Sequence, residues 1–318
     1  MIPQELIAFP NQFSFQPIVE NQERLRKGRL TVVGGMGGSA LVAGLLNTID
    51  PALGFITHRD YGLPLLPEAL FPDTLFIASS ASGNTEETLD FARTVENRGF
   101  SLAVIAGGGE LLNFALKRHL TLVKLPHTSL PPRMSTGYLA IALAALTNAK
   151  NLVANFQGLS HTLSAARTHE EGRVLAQSLA QKVPLIYAST TNFPLAYYWK
   201  ITFNETAKIP AFCTSVPEMS HNEIEGFDGR RPSFPSKVIF LVDTQDHPRI
   251  LKRMSITQEL YRKQNVETMS LSLHGEPMQK IFGSVHLAIA TSLSLAGAYG
   301  NEAIRTPLIS SLKERMKD

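Results

Sequence analysis

Residues 30–49 read Leu30-Thr31-Val32-Val33-Gly34-Gly35-Met36-Gly37-Gly38-Ser39-Ala40-Leu41-Val42-Ala43-Gly44-Leu45-Leu46-Asn47-Thr48-Ile49. A short β-branched run, a glycine cluster and then apolar residues at helical spacing make a strand, a tight turn and a helix. Glycines let a backbone approach a ligand closely, and the N-terminus of a helix offers N–H groups and a positive dipole end to an anion. Read as Gly35-x-Gly37-x-x-Ala40 with Asp60 further on, the same residues also fit a dinucleotide fingerprint. A third reading gives the glycines no task beyond the turn.

Outward from this unit the pattern repeats. GFITH (54–58), TLFIASS (74–80), SLAVIA (101–106) and LTLVKL (120–125) are short, apolar and bounded by turn residues, as buried strands are. TEETLDFARTVENRG (85–99) is helical, with Gly99 where a C-terminal cap belongs. A long helix follows PPRMS (131–135), then an uneven helical stretch from about residue 157 to 181. A second alternation runs through VPLIYAS (183–189), KVIFLVD (237–243) and ETMSLSL (267–273) and ends in two helices. The fold class is α/β: two loosely similar domains, 1–155 and 156–318, each a mainly parallel sheet flanked by helices in a doubly wound, flavodoxin-like arrangement.

With 318 residues the chain has length for about two domains, each large enough for its own core. Hydrophobic residues make up 44% and charged residues 18%, which excludes extended disorder. Thirty Lys plus Arg against 27 Asp plus Glu leave a net charge of only +3, scattered along the chain, so nothing demands nucleic acid. The single cysteine, Cys213, cannot form an internal disulfide and points to a reducing compartment, the cytoplasm. The N-terminus lacks the charge and apolar pattern of a signal peptide. The apolar stretches YLAIALAALTNA (138–149) and LAIATSLSLAGAY (287–299) are short for a membrane span and are expected to be buried helices.

Three clusters can carry chemistry. Ser79-Ser80-Ala81-Ser82-Gly83-Asn84-Thr85-Glu86-Glu87 lies between a strand and a helix. Asn84 and Glu87 are placed to form a capping box. The hydroxyls of Ser80, Ser82 and Thr85 exceed what a cap needs and suit a phosphate monoester. Arg133, fixed between Pro131-Pro132 and an apolar helix, can neutralise a developing oxyanion, although an exposed arginine near a helix start is the commoner case. In the second half, Glu205 follows the aromatic run Tyr197-Tyr198-Trp199 and is a candidate general base; its plainer reading is an ion pair with Lys208 three residues on. His221 lies in Pro217-Glu218-Met219-Ser220-His221-Asn222-Glu223-Ile224-Glu225, otherwise an ordinary solvent-facing loop. Cys213, His221, Glu223 and Glu225 match no metal-ligand spacing, and no metal is expected.

Taken together, GGMGGSALVAGLL, SASGNTEETL, PRMSTGYLAIAL, NETAKIPAF with PEMSHNEIEGF, and RTPLISSLKERM resemble, in order, the bifunctional phosphoglucose/phosphomannose isomerases, built from tandem sugar isomerase (SIS) domains. The SGNTEET loop alone is shared by many phosphosugar-binding proteins; the paired Glu and His segments are more specific. The resemblance implies a sugar 6-phosphate substrate, no cofactor, and a homodimer with active sites at the subunit interface. It implies that Gly38, Ser39, Ser80, Ser82 and Thr85 bind the phosphate, that Glu205 moves a proton between C1 and C2, and that Arg133 stabilises a cis-enediolate. His221, from the partner subunit, would assist ring opening together with Lys313, and Thr306 would leave room for mannose 6-phosphate. Ala81 stands where an aromatic residue is usual, Thr206 where asparagine is common, and Asn301–Arg305 departs from the usual approach to the threonine. A non-catalytic phosphosugar regulator and an NAD(P)-dependent oxidoreductase are the alternatives.

Overall fold

All eight apolar runs picked out above are strands, joined by two short ones whose sequences carry little pattern. A computed structural model of the chain describes residues 1–26, 28–229 and 234–316. The strands are β1 (Val19–Glu20), β2 (Leu30–Gly34), β3 (Ile56–His58), β4 (Thr74–Ser80), β5 (Ser101–Ala106), β6 (Thr121–Lys124), β7 (Val183–Ser189), β8 (Phe212–Val216), β9 (Ser236–Asp243) and β10 (Glu267–Leu273). They form two sheets in two compact units, one made of Ile7–Ser164 with Gly275–Phe282, the other of Met1–Leu6, Ala165–His274 and the chain from Gly283 on.

In the first unit the strand order is β1-β6-β5-β4-β2-β3, parallel except for β1, which runs antiparallel to β6. Every residue of β4 is buried, which explains its unbroken TLFIASS run: a central parallel strand covered on both faces has no polar face to show. The helix Glu86–Asn97 buries Leu89, Phe91, Ala92 and Val95 and leaves its charged face outward. Phe91 packs edge-on to Phe76 of β4, their ring centres 6.0 Å apart. The Phe91 side chain is wholly buried, and truncating such a ring costs about 3–5 kcal/mol.

The second unit has a four-stranded parallel sheet, β10-β9-β7-β8. With the antiparallel β1 left out, each sheet places its second strand beside its first and its third on the first strand's other side. The likeness seen in the sequence is therefore one of topology. The strand β8 escaped the pattern because it is a half-exposed edge; one-sided burial gives no continuous apolar run. Among the described residues one helix, Pro277–Tyr299, is long and apolar enough to cross a membrane, longer than the apolar stretch in the sequence because its first turns contain Gln279, Lys280 and His286. Two thirds of its apolar window is buried inside the protein, with Ile281, Phe282, Val285, Ile289 and Leu295 at or near zero exposure.

Candidate active site

In a doubly wound sheet, ligands bind outside the carboxyl ends of the strands where successive connections leave in opposite directions. In the first unit that point lies between β2 and β4, and both hydroxyl-bearing loops issue from it. The Ser39 hydroxyl, on the first turn of the helix Gly38–Ile49, accepts a hydrogen bond from Ala81 N at 3.2 Å, so the two loops are tied together. Ser80 Oγ lies 3.0 Å from Thr85 Oγ1 and 3.5 Å from Ser82 Oγ, and accepts from Gly83 N. Ser39 and Ser80 are buried, Thr85 is half-buried and Ser82 is exposed, so the cluster opens to solvent on one side.

Arg133 lies beside this cluster. A Cβ on Gly38 would stand 3.0 Å from Pro132 O and 3.2 Å from Arg133 Cα, so the glycine lets the helix start sit close against that segment and a side chain there would crowd it. Arg133 is 3% exposed. The commoner expectation for it, an arginine in solvent, is overturned: the segment Pro132–Met134 is a short 3-10 helix with Arg133 and Met134 buried. Six residues expected at the site, Gly38, Ser39, Ser80, Ser82, Thr85 and Arg133, thus share one end of one sheet.

The capping box does not form. Thr85 occupies the cap position of the helix Glu86–Asn97, and Asn84 turns away to accept a hydrogen bond from Glu110 N at 3.0 Å. Asn84 therefore ties the hydroxyl loop to the start of the next helix, Gly109–Lys117, a long-range partner that sequence spacing does not reveal. Asp60, required by the dinucleotide reading, is exposed, and its carboxylate accepts from Tyr61 N.

In the second unit Glu205 is half-buried within a turn of π-helix, Phe203–Ala207, that ends the aromatic helix Phe193–Thr202. Such wider turns recur at functional sites. Lys208 adopts a left-handed backbone, φ 61°, and its Nζ donates to the carbonyl oxygens of Glu205 and Arg305. Asn301 Nδ2 donates to Ala207 O at 2.9 Å. These bonds join the Glu205 turn to the segment that leads into Thr306, the half-buried cap of the helix Pro307–Arg315. His221 stands elsewhere, exposed on the turn Glu218–His221, and Lys313 is exposed on the terminal helix.

The corresponding crevice of the second unit, between β7 and β9, is built differently. Asn192 Nδ2 donates to Ser189 Oγ at 3.2 Å, to Asp243 Oδ2 at 3.4 Å and to Asp246 Oδ1 at 3.3 Å. Burial, with the Asp243 charge adding to it, pushes the Asp246 carboxyl above the ordinary carboxylate range. A phosphate would meet two acidic groups there, so the hydroxyl cluster of the first unit is the better fit for an anion. Burial likewise pushes the Cys213 thiol up to about 11, leaving it protonated at neutral pH.

The bifunctional phosphoglucose/phosphomannose isomerase of Caldicellulosiruptor bescii is 31% identical to this chain over 306 residues, covering 90% of this chain and 89% of the relative. The chain belongs to that family. The Aquifex aeolicus member of the bifunctional phosphoglucose/phosphomannose isomerases is 29% identical over 98% of this chain and 96% of its own length. The family model for the bacterial phospho-glucose isomerase C-terminal SIS domain matches residues 168–316. Among solved structures, the C-terminal domain of glucosamine-fructose-6-phosphate aminotransferase from Francisella tularensis superposes with a TM-score of 0.66 at 14% identity, over 95% of this chain and 97% of that one. That likeness speaks to the fold alone. Membership in this isomerase family sets the dinucleotide reading of Gly35, Gly37 and Ala40 aside.

Proposed function

We propose that this chain is an aldose–ketose isomerase interconverting glucose 6-phosphate and fructose 6-phosphate, and mannose 6-phosphate and fructose 6-phosphate, in the cytoplasm. The observation that carries it is the cluster of Ser39, Ser80, Ser82 and Thr85 hydroxyls beside buried Arg133, set in a chain whose relatives are named for these two isomerisations. Four neutral hydroxyls at the starts of two helices fit a phosphate dianion. The reaction then needs one base and one cation for the enediolate charge.

In this reading Glu205 removes the proton from C2 of the open-chain aldose and returns it to C1, giving the ketose; the reverse path restores the aldose. Arg133 carries the charge of the cis-enediolate. His221, with Lys313, assists opening of the cyclic sugar, and Thr306 leaves room for the enediolate to turn about C2–C3 so that both 2-epimers are accepted. The exposure of His221 and Lys313 suits service to a second copy of the chain, and the terminal helix presents Leu308, Leu312 and Met316 to solvent at one-turn spacing, a stripe fit for a homodimer contact. Assaying glucose 6-phosphate and mannose 6-phosphate separately, with and without a chelator, tests the reading. Turnover of both, unaffected by the chelator, is expected. Binding of fructose 6-phosphate without any conversion would instead indicate a phosphosugar regulator.

A further inference from the structure

His221 ends a short 3-10 helix, Glu218–His221, a second one, Glu223–Phe227, follows, and the segment is anchored on both sides. On one side Met219 is completely buried. On the other, the Glu223 carboxylate accepts a hydrogen bond from the hydroxyl of Tyr187, a 1% exposed residue of β7. Tyr261, from the helix Pro248–Lys263, brings a second hydroxyl to 3.4 Å from that of Tyr187, and its ring meets Phe227 with centres 4.7 Å apart. Within the turn, Asn222 Oδ1 accepts from Glu223 N, and Asn222 Nδ2 donates to Glu218 Oε1 at 3.0 Å. His221 is thus strung between an apolar anchor two residues before it and a charged anchor two residues after it.

We infer that Tyr187, acting through Glu223, is a positioning residue for His221. A central strand of a parallel sheet is the most rigid element available, and a hydrogen bond from it to a carboxylate is among the stronger neutral-to-charged kinds. Burial and the neighbouring Tyr261 and Glu223 push the Tyr187 hydroxyl well above the ordinary tyrosine range, so it remains a proton donor at every working pH. The role also accounts for Glu223, an acidic residue of the His221 segment that neither proton transfer nor phosphate binding uses. The inference rests on the proposed part of His221 in ring opening.

The test is a double-mutant cycle on the full chain with glucose 6-phosphate. Tyr187→Phe is expected to lower kcat by about ten- to a hundredfold, the scale of a misplaced catalytic group, with KM changed less than twofold because the anion cradle is untouched. His221→Ala is expected to lower kcat at least as much, and Tyr187→Phe added to it to lower kcat no further. Should Tyr187→Phe fail to fold, Glu223→Ala removes the acceptor from the exposed side and replaces it in the cycle. Full activity of His221→Ala would overturn the role of His221 and this inference together. A loss in His221→Ala with none in Tyr187→Phe, or losses that multiply in the double variant, would overturn the positioning role alone.

Discussion

The hydroxyl oxygens of Ser80 and Thr85 lie 3.0 Å apart across the turn that joins β4 to the next helix. Neither is spent on capping that helix, whose cap position makes no side-chain hydrogen bond. In the free protein the two satisfy one another, and a phosphate oxygen arriving between them exchanges that weak neutral bond for two charge-assisted ones. Thr85→Val keeps the shape and removes one donor. The expected result is a rise of about ten- to a hundredfold in KM for glucose 6-phosphate, matching the ~1.5–3 kcal/mol of a hydrogen bond to a charged group, with a parallel weakening of inhibition by inorganic phosphate. An unchanged KM would remove Thr85 from the cradle.

Glu205 presents a different expectation. Replacing it by Gln keeps the size of the side chain but removes the proposed base. Turnover should fall by about 10²–10⁴-fold, the usual contribution of proton transfer by a placed side chain, while fructose 6-phosphate still binds. Solvent exchange of the C2 hydrogen, followed by NMR, should stop as well. Turnover at the normal rate in Glu205→Gln would mean that another group moves the proton.

Asn84 separates two accounts of the same loop. Because its side chain receives Glu110 N rather than capping its own helix, Asn84→Ala strips a partner from a neighbouring helix start. That should cost about 1 kcal/mol, as losing a capping side chain does. A capping box would make Glu87 matter equally, whereas here Glu87→Ala should fall within about ±0.5 kcal/mol, as surface changes do. Thermal unfolding of the two variants decides the point; equal losses would restore the capping box.

The contrast shows what kind of information the chain carries legibly. Buried parallel strands announce themselves as apolar runs, so TLFIASS and SLAVIA coincide with β4 and β5 to the residue, and the hydroxyls of the SASGNTEET loop stand out because local capping does not need them. Gly99, with φ 71° just past a helix end, was readable for the same local reason. The partner of Asn84 is 26 positions away, buried Arg133 has its backbone close to Gly38 far back in the chain, and Tyr187 meets Glu223 across 36 positions. Each depends on tertiary packing that no spacing rule encodes. Resemblance to a family supplied the roles of Thr306 and Lys313, since their own surroundings in the sequence carry no chemical pattern.

The last prediction concerns stability and pH. His286, in the long helix Pro277–Tyr299, is wholly buried, and its Nε2 donates to Leu6 O at 3.0 Å. Burial lowers its pKa from 6.5 to about 4, against a smaller opposing effect of the hydrogen bond to Leu6. The unfolded chain therefore takes up a proton near pH 6.5 that the folded chain refuses until about pH 4. Between those values the unfolded state holds more protons, so stability rises with pH across the window and is lost as pH falls through it. The full difference is about 3 kcal/mol at the scale of 1.36 kcal/mol per unit. His286→Gln keeps a donor for Leu6 without a titrating ring. Its urea midpoint should change less between pH 7 and pH 4.5 than that of the parent chain; identical slopes would show that acid sensitivity arises from other groups.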